Sequence, residues 1–196
     1  MRNLKIAYNK LEKLKQEASK WDHDIRPCEV SRRFNREFES LSVRFQFDGI
    51  DTYLSAGEYD PDREDSTDPK YRVFLGFNKE HRIWFWVNTD ELYDEIFLIL
   101  AHEFRHGYQH RICGYKVGWY KHDYAAKTQS LYDYYTHPNE LDAYAYETAM
   151  AIRLQQIRPD VHERVKWIVD AYKKHVLSQS SKMYNKFLRR MIKYLD

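Results

Sequence analysis

Six consecutive apolar residues, Ile96-Phe97-Leu98-Ile99-Leu100-Ala101, run without a break into His102-Glu103-Phe104-Arg105-His106. The run is far below the ~18 apolar residues that a membrane span needs. It reads instead as the middle of a helix that crosses a core and delivers its end to a polar region. Asn88, Thr89 and Asp90 offer capping oxygens ahead of it, so a helix is expected from about Glu91 to Arg111. Residues four apart on a helix share one face, with Cβ atoms about 5–6 Å apart. His102 and His106 can therefore grip one metal ion, while Glu103 points to its side, where it can take a proton from water.

The rest of the chain is organised around this helix. Leu4, Ala7, Tyr8, Leu11, Leu14 and Ala18 predict a first helix to about Lys20, and Val30, Phe34 and Phe38 a second over about Glu29–Ser40. The period then becomes two. Leu41, Val43, Phe45 and Phe47 alternate with Ser42, Arg44 and Gln46, a half-buried strand ending at Asp48-Gly49. A weaker strand is expected at Thr52–Ala56 and an acidic surface loop over Glu58–Pro69. Strands at Tyr71–Phe77 and Arg82–Val87 would be joined by a hairpin connection at Asn78-Lys79-Glu80-His81. The segment Ile83–Val87, apolar on both faces, is expected to be buried on both.

A loop-rich aromatic region to Pro138 should precede helices at Asn139–Ile157, Val161–Val176 and Lys182–Tyr194, with Pro159 ending the first of them. The order predicts α+β architecture, with helices packed on one face of a small antiparallel-rich sheet. Residues 1–40 read as an N-terminal helical extension, 41–158 as the core and 159–196 as a basic helical extension, together forming one compact unit.

Composition removes several classes. With 43% apolar and 32% charged residues, six Gly and five Pro in 196 positions, the chain is neither collagen-like, low-complexity nor disordered. A net charge of +2 excludes a strongly basic nucleic-acid coat, although residues 161–196 carry nine Lys/Arg against three Asp/Glu. The two cysteines, Cys28 and Cys113, lack CxxC spacing, and the first residues hold no apolar export block. Reduced thiols, a cytoplasmic location and no membrane partner are the expectation.

A catalytic zinc ion commonly takes three protein ligands and keeps one open position. His110, one turn beyond His106, would need a curved helix to join the first two, and Ile112 stands where a metzincin would have its third histidine. The remaining candidate segment is His137-Pro-Asn-Glu140-Leu-Asp142-Ala143-Tyr144-Ala145-Tyr146-Glu147. It resembles the glutamate helix of gluzincin metallopeptidases, whose third ligand is the Glu of a pattern like E-x-x-A-D; Glu140 and Ala143 match. With His102-Glu-Phe-Arg-His106 it resembles the zincin fold in its minimal form, similar to minigluzincin, ImmA/IrrE-type and M48-like peptidases, over about Leu41 to Ile157.

The resemblance implies one Zn²⁺ per chain on His102, His106 and Glu140, with Asp142 as the rival third ligand. It implies Glu103 as general base and a protein or peptide substrate, whose backbone would add to an edge strand at Tyr71–Phe77 or Arg82–Val87. Oxyanion donors would come from Tyr132, Tyr134, Tyr135, His137 and Tyr144, of which His137 and Tyr144 are the choices. Many gluzincins have Asp four residues after the ligand glutamate, where it orients a zinc histidine. Here that place is Tyr144, so Tyr144, a backbone carbonyl or Asp142 would take the role. Arg26-Pro27-Cys28-Glu29-Val30 faintly resembles the cysteine switch of matrix metallopeptidases.

Two alternatives stand beside the peptidase. A nucleic-acid-associated protease or adaptor would use the basic C-terminal helices, where Trp167, Tyr172, Tyr184 and Tyr194 are interleaved with Lys and Arg. A non-catalytic zincin-fold binding protein would have no use for Glu103 beside its ligands.

Overall fold

Leu4, Ala7, Leu11, Leu14 and Ala18 recur at three- and four-residue intervals, and all are buried along one face of α1 (Arg2–Ala18). The second helix, α2 (Pro27–Phe38), starts with Pro27 in its first turn and with the Glu29 carboxylate accepting from the Arg26 backbone N–H at 3.1 Å. It buries Val30, Phe34 and Phe38. The computed structural model describes residues 2–50, 54–60, 69–78, 82–113, 130–156 and 162–196. They form an α+β protein that divides into two compact units, 1–104 and 105–196. No helix among the described residues is long and apolar enough to cross a membrane.

In the first unit a 3₁₀ turn at Glu39–Leu41 ends on Ser42, held at φ 55° and ψ 42°. Its hydroxyl accepts from the Lys70 N–H and its carbonyl from the Tyr71 N–H, so the turn starts the pairing of two strands. These are β1 (Val43–Ile50) and β3 (Tyr71–Asn78), which run parallel with Phe45 opposite Val73. On the other side of β3 lies β2 (Leu54–Tyr59), antiparallel, with Gly57 opposite Val73. The order β1-β3-β2 makes a mixed sheet, not the antiparallel-rich one expected, and puts Tyr71–Phe77 at its centre. That segment is therefore not an edge strand. Val43, Phe45, Phe47, Val73 and Leu75 are buried, and Phe34 of α2 packs 5.2 Å from Phe45 and 5.0 Å from Phe47 between ring centroids.

The outer edge of β1 is closed by α2. The Asn35 amide donates to the Phe45 carbonyl at 3.2 Å and accepts from the Phe45 N–H, and the Ser31 hydroxyl accepts from the Phe47 N–H at 3.1 Å. Side chains thus occupy backbone groups that would otherwise template another strand.

Ile83–Val87, expected as a strand, is a short helix, α3. Ile83 and Val87 are the buried pair, four residues apart, whereas Phe85 between them is 60% exposed. That is helical spacing, which the density of aromatics hid. Its C-terminal end is held by side chains: Asn88 Nδ2 donates to the Trp84 carbonyl and Thr89 Oγ1 to that of Trp86, both at 2.8 Å. The long helix α4 (Asp90–Cys113) follows, and Leu92, Tyr93, Ile96, Ile99 and Leu100 join the core of the first unit. The connection at 79–81, most of the acidic loop (61–68) and Pro159 lie outside the described residues.

The second unit is helical. Its helices are α5 (Leu131–Thr136), α6 (Pro138–Gln155), α7 (His162–Tyr172, continuing as a π turn over Lys173–Leu177) and α8 (Ser181–Leu195). Part of the expected loop before Pro138 is thus the helix α5, started by the Ser130 hydroxyl accepting from the Asp133 N–H. Tyr135, Leu141, Ala145, Ile168, Tyr172, Val176 and Phe187 form its core, with the Tyr172 and Phe187 rings stacked at 3.9 Å.

Candidate metal centre

The two histidines of the motif lie one turn apart on the continuous helix α4, and both are buried. Glu140 lies in the first turn of α6, which is opened by Pro138 and capped by His137. One ligand atom each from His102, His106 and Glu140 falls within 4.8 Å of the other two. His106 Nε2 and Glu140 Oε1 are 3.2 Å apart. Two atoms bonded at about 2.0–2.1 Å to a tetrahedral zinc ion sit about 3.3 Å from each other, so this pair already has the required separation.

The other ring nitrogen of His106 bears on what can lie between these two atoms. Its Nδ1 is 3.1 Å from Gln109 Oε1, one turn further along α4. The Gln109 amide nitrogen donates to the Asn139 carbonyl at 3.0 Å and to Asp142 Oδ2 at 2.9 Å. With both acceptors on the nitrogen side, the amide can present only its oxygen to His106, so Nδ1 carries a proton. In the neutral ring Nε2 then faces Glu140 with a lone pair. Two electron-rich atoms at 3.2 Å require a positive species between them, a proton or a metal ion. Two imidazoles and a carboxylate form a donor set that suits zinc.

Asp142 is held by other partners. Its Oδ2 accepts from Arg105 Nε at 2.7 Å as well as from Gln109, and its Oδ1 from the Tyr194 hydroxyl at 2.5 Å and Arg190 Nε at 2.6 Å. Four donors occupy both oxygens. Burial works to raise its pKa, but the Arg105, Tyr194 and Gln109 donors outweigh that and hold it below the ordinary value. Arg105 lies over the rings of Tyr108 and Tyr194 at 4.7 and 4.9 Å. Gln109, Arg105, Arg190 and Tyr194 were not singled out from the sequence as parts of the site. Only Gln109 carried a legible signal, a polar residue three places after His106 and so on its face of the helix.

Glu103 is buried on α4 and lies against β2 within the first unit. A Cβ built on Gly57 would be 2.5 Å from Glu103 Oε1, 2.6 Å from its Cγ and 2.7 Å from Ile99 Cγ2. Only glycine lets the strand backbone come this close to the carboxylate. Gly57→Ala should therefore cost about 1–3 kcal/mol by overpacking. Urea denaturation checks this, and an unchanged midpoint would refute the close approach.

His137 accepts from the Asn139 N–H through Nδ1 at 3.4 Å, which leaves its proton on Nε2. Burial lowers its pKa against the opposing charge of Glu140, so the ring is neutral near pH 7. Tyr144, one turn after Glu140, has its hydroxyl 3.3 Å from that of Tyr134 and its ring 5.4 Å from Tyr135. Burial raises its pKa and keeps it a neutral phenol. The His106 ring nitrogen thus meets Gln109, not Tyr144. Cys28 is an exposed free thiol in the first turn of α2.

The chain matches no protein-family model, no curated protein and no solved structure.

Proposed function

We propose that this chain is a zinc-dependent metallopeptidase of the zincin type. The observation that carries the reading is the convergence of His102, His106 and Glu140 on one point, with Glu103 adjacent on the same helix. When bound, zinc would bring the pKa of a water toward ~7 and polarise a peptide carbonyl. Glu103 takes the proton from the attacking water and passes it to the leaving amine. His137 through Nε2–H and the neutral Tyr144 phenol are the donors assigned to the oxyanion. The outer edge of β2 receives the substrate backbone, because the β1 edge is filled by Asn35 and Ser31 and β3 is central. The free thiol of Cys28 is in keeping with a reducing, cytoplasmic setting.

The nucleic-acid alternative draws its support from the outward face of α8, where Lys182, Lys186, Arg189 and Lys193 line a groove. Charge alone argues for it, and a solvated helix face looks the same, so the peptidase reading is preferred.

Elemental analysis of the purified protein should find close to one zinc per chain, with cleavage of a mixed peptide library. His102→Ala and Glu140→Ala should each reduce bound zinc at least tenfold and remove cleavage with it. A parent protein that binds no divalent metal would end the proposal. Full zinc in Glu140→Ala would move the third ligand to another residue.

A further inference from the structure

Gln109 has no part in the chemistry assigned above, yet every polar atom of its buried amide is committed. The oxygen faces His106 Nδ1, and the nitrogen is divided between the Asn139 carbonyl and Asp142 Oδ2. The acceptors are independently fixed. Asn139 is the neighbour of Glu140 in the first turn of α6, and Asp142 is clamped by Arg105, by Arg190 and by the Tyr194 hydroxyl from the last turn of α8. A flipped amide would set its oxygen against two acceptors, the Asn139 carbonyl and Asp142 Oδ2, and would lose both hydrogen bonds. The orientation therefore has one solution.

We infer that Gln109 is the positioning residue of the metal centre, holding His106 in the form with Nδ1 protonated and Nε2 available as ligand. This rests on the metal-binding reading of His102, His106 and Glu140. A metal-ligating histidine commonly gives its second N–H to a carboxylate or a carbonyl oxygen. Here a side-chain amide supplies that oxygen, and the anion behind it, Asp142, acts one bond further away. The neutral amide keeps a second full negative charge off the imidazole. It also ties the ligand's orientation to α6 and the C-terminal helix.

The test has two readouts. Ring ¹⁵N NMR of the parent at pH 8, with the His106 signals assigned from a His106→Gln variant, should show Nδ1 protonated. Nδ1 without its proton overturns the inference. In Gln109→Met, which keeps the volume and loses the acceptor, zinc affinity by chelator competition should fall about 10–100-fold. A folded Gln109→Met protein within twofold of the parent overturns the inference as well. If Gln109→Met does not fold, the parent's ring nitrogens still decide. A parent that takes up no zinc refutes the metal centre, whereas Nδ1 protonation in that same protein still reports on Gln109, so the two failures are distinguishable.

Discussion

Glu103→Gln is expected to hold one zinc per chain and to lose peptide cleavage by at least about a thousandfold. A positioned general base contributes typically ~10²–10⁴ to rate, and in the proposed mechanism the same group would also return the proton to the leaving amine. Glutamine fits the space that Gly57 leaves for the Glu103 side chain, since it has the same number of heavy atoms. The proposed metal donors are His102, His106 and Glu140, so ligation should survive. Zinc by elemental analysis and cleavage by mass spectrometry of a peptide library, on one preparation, check both halves. Retained cleavage would assign the proton to another group. Loss of zinc together with cleavage would make Glu103 a ligand and redraw the site.

That prediction needs only one helix, and this is why it was legible in the sequence. His102, Glu103 and His106 lie within five residues, and helical geometry fixes their faces without tertiary knowledge. The amphipathic helices α1, α2 and α8 were legible for the same reason, and α6 by the proline in its first turn. Where partners are distant, local pattern was silent. Gln109 meets Asp142 across 33 residues and Arg105 meets Tyr194 across 89, so nothing near Asp142 announced that four donors would enclose it. The strand order is another case. Alternation marks β1 and β3 as half-buried, but it carries no information on which neighbour each chooses or in which direction. At Ile83–Val87 the aromatic content suggested a strand, and the burial of Ile83 and Val87, four apart, in the core of the first unit goes with a helix, as does the Trp84 indole N–H donating to the Trp21 carbonyl.

Asp142→Leu should be the most destabilising single change in the second unit, costing about 3–5 kcal/mol. Asp142 is 2% exposed, and its carboxylate carries the interactions with Arg105 and Arg190 together with those of Gln109 and Tyr194. Removing one partner of a buried ion pair leaves the other charge without compensation. Arg190, on the side of α8, can turn toward water, but Arg105 is mostly buried under Tyr194 and Tyr108 and cannot do so cheaply. The loss should appear as a melting temperature lower by on the order of 10 °C. Faster hydrogen exchange should be concentrated in α6 and α8. Acid should repeat the effect reversibly. The native Asp142 pKa lies below its ordinary 3.8, so its stabilisation is complete above that value and is lost as pH falls through the native one. Zinc should also rescue the variant less than the parent, because ligand stabilisation grows as RT ln(1 + [L]/Kd) and Gln109 loses one of its two acceptors. An Asp142→Leu protein that melts within 2 °C of the parent would show that the two arginines find other partners and that α8 is held by its apolar face alone.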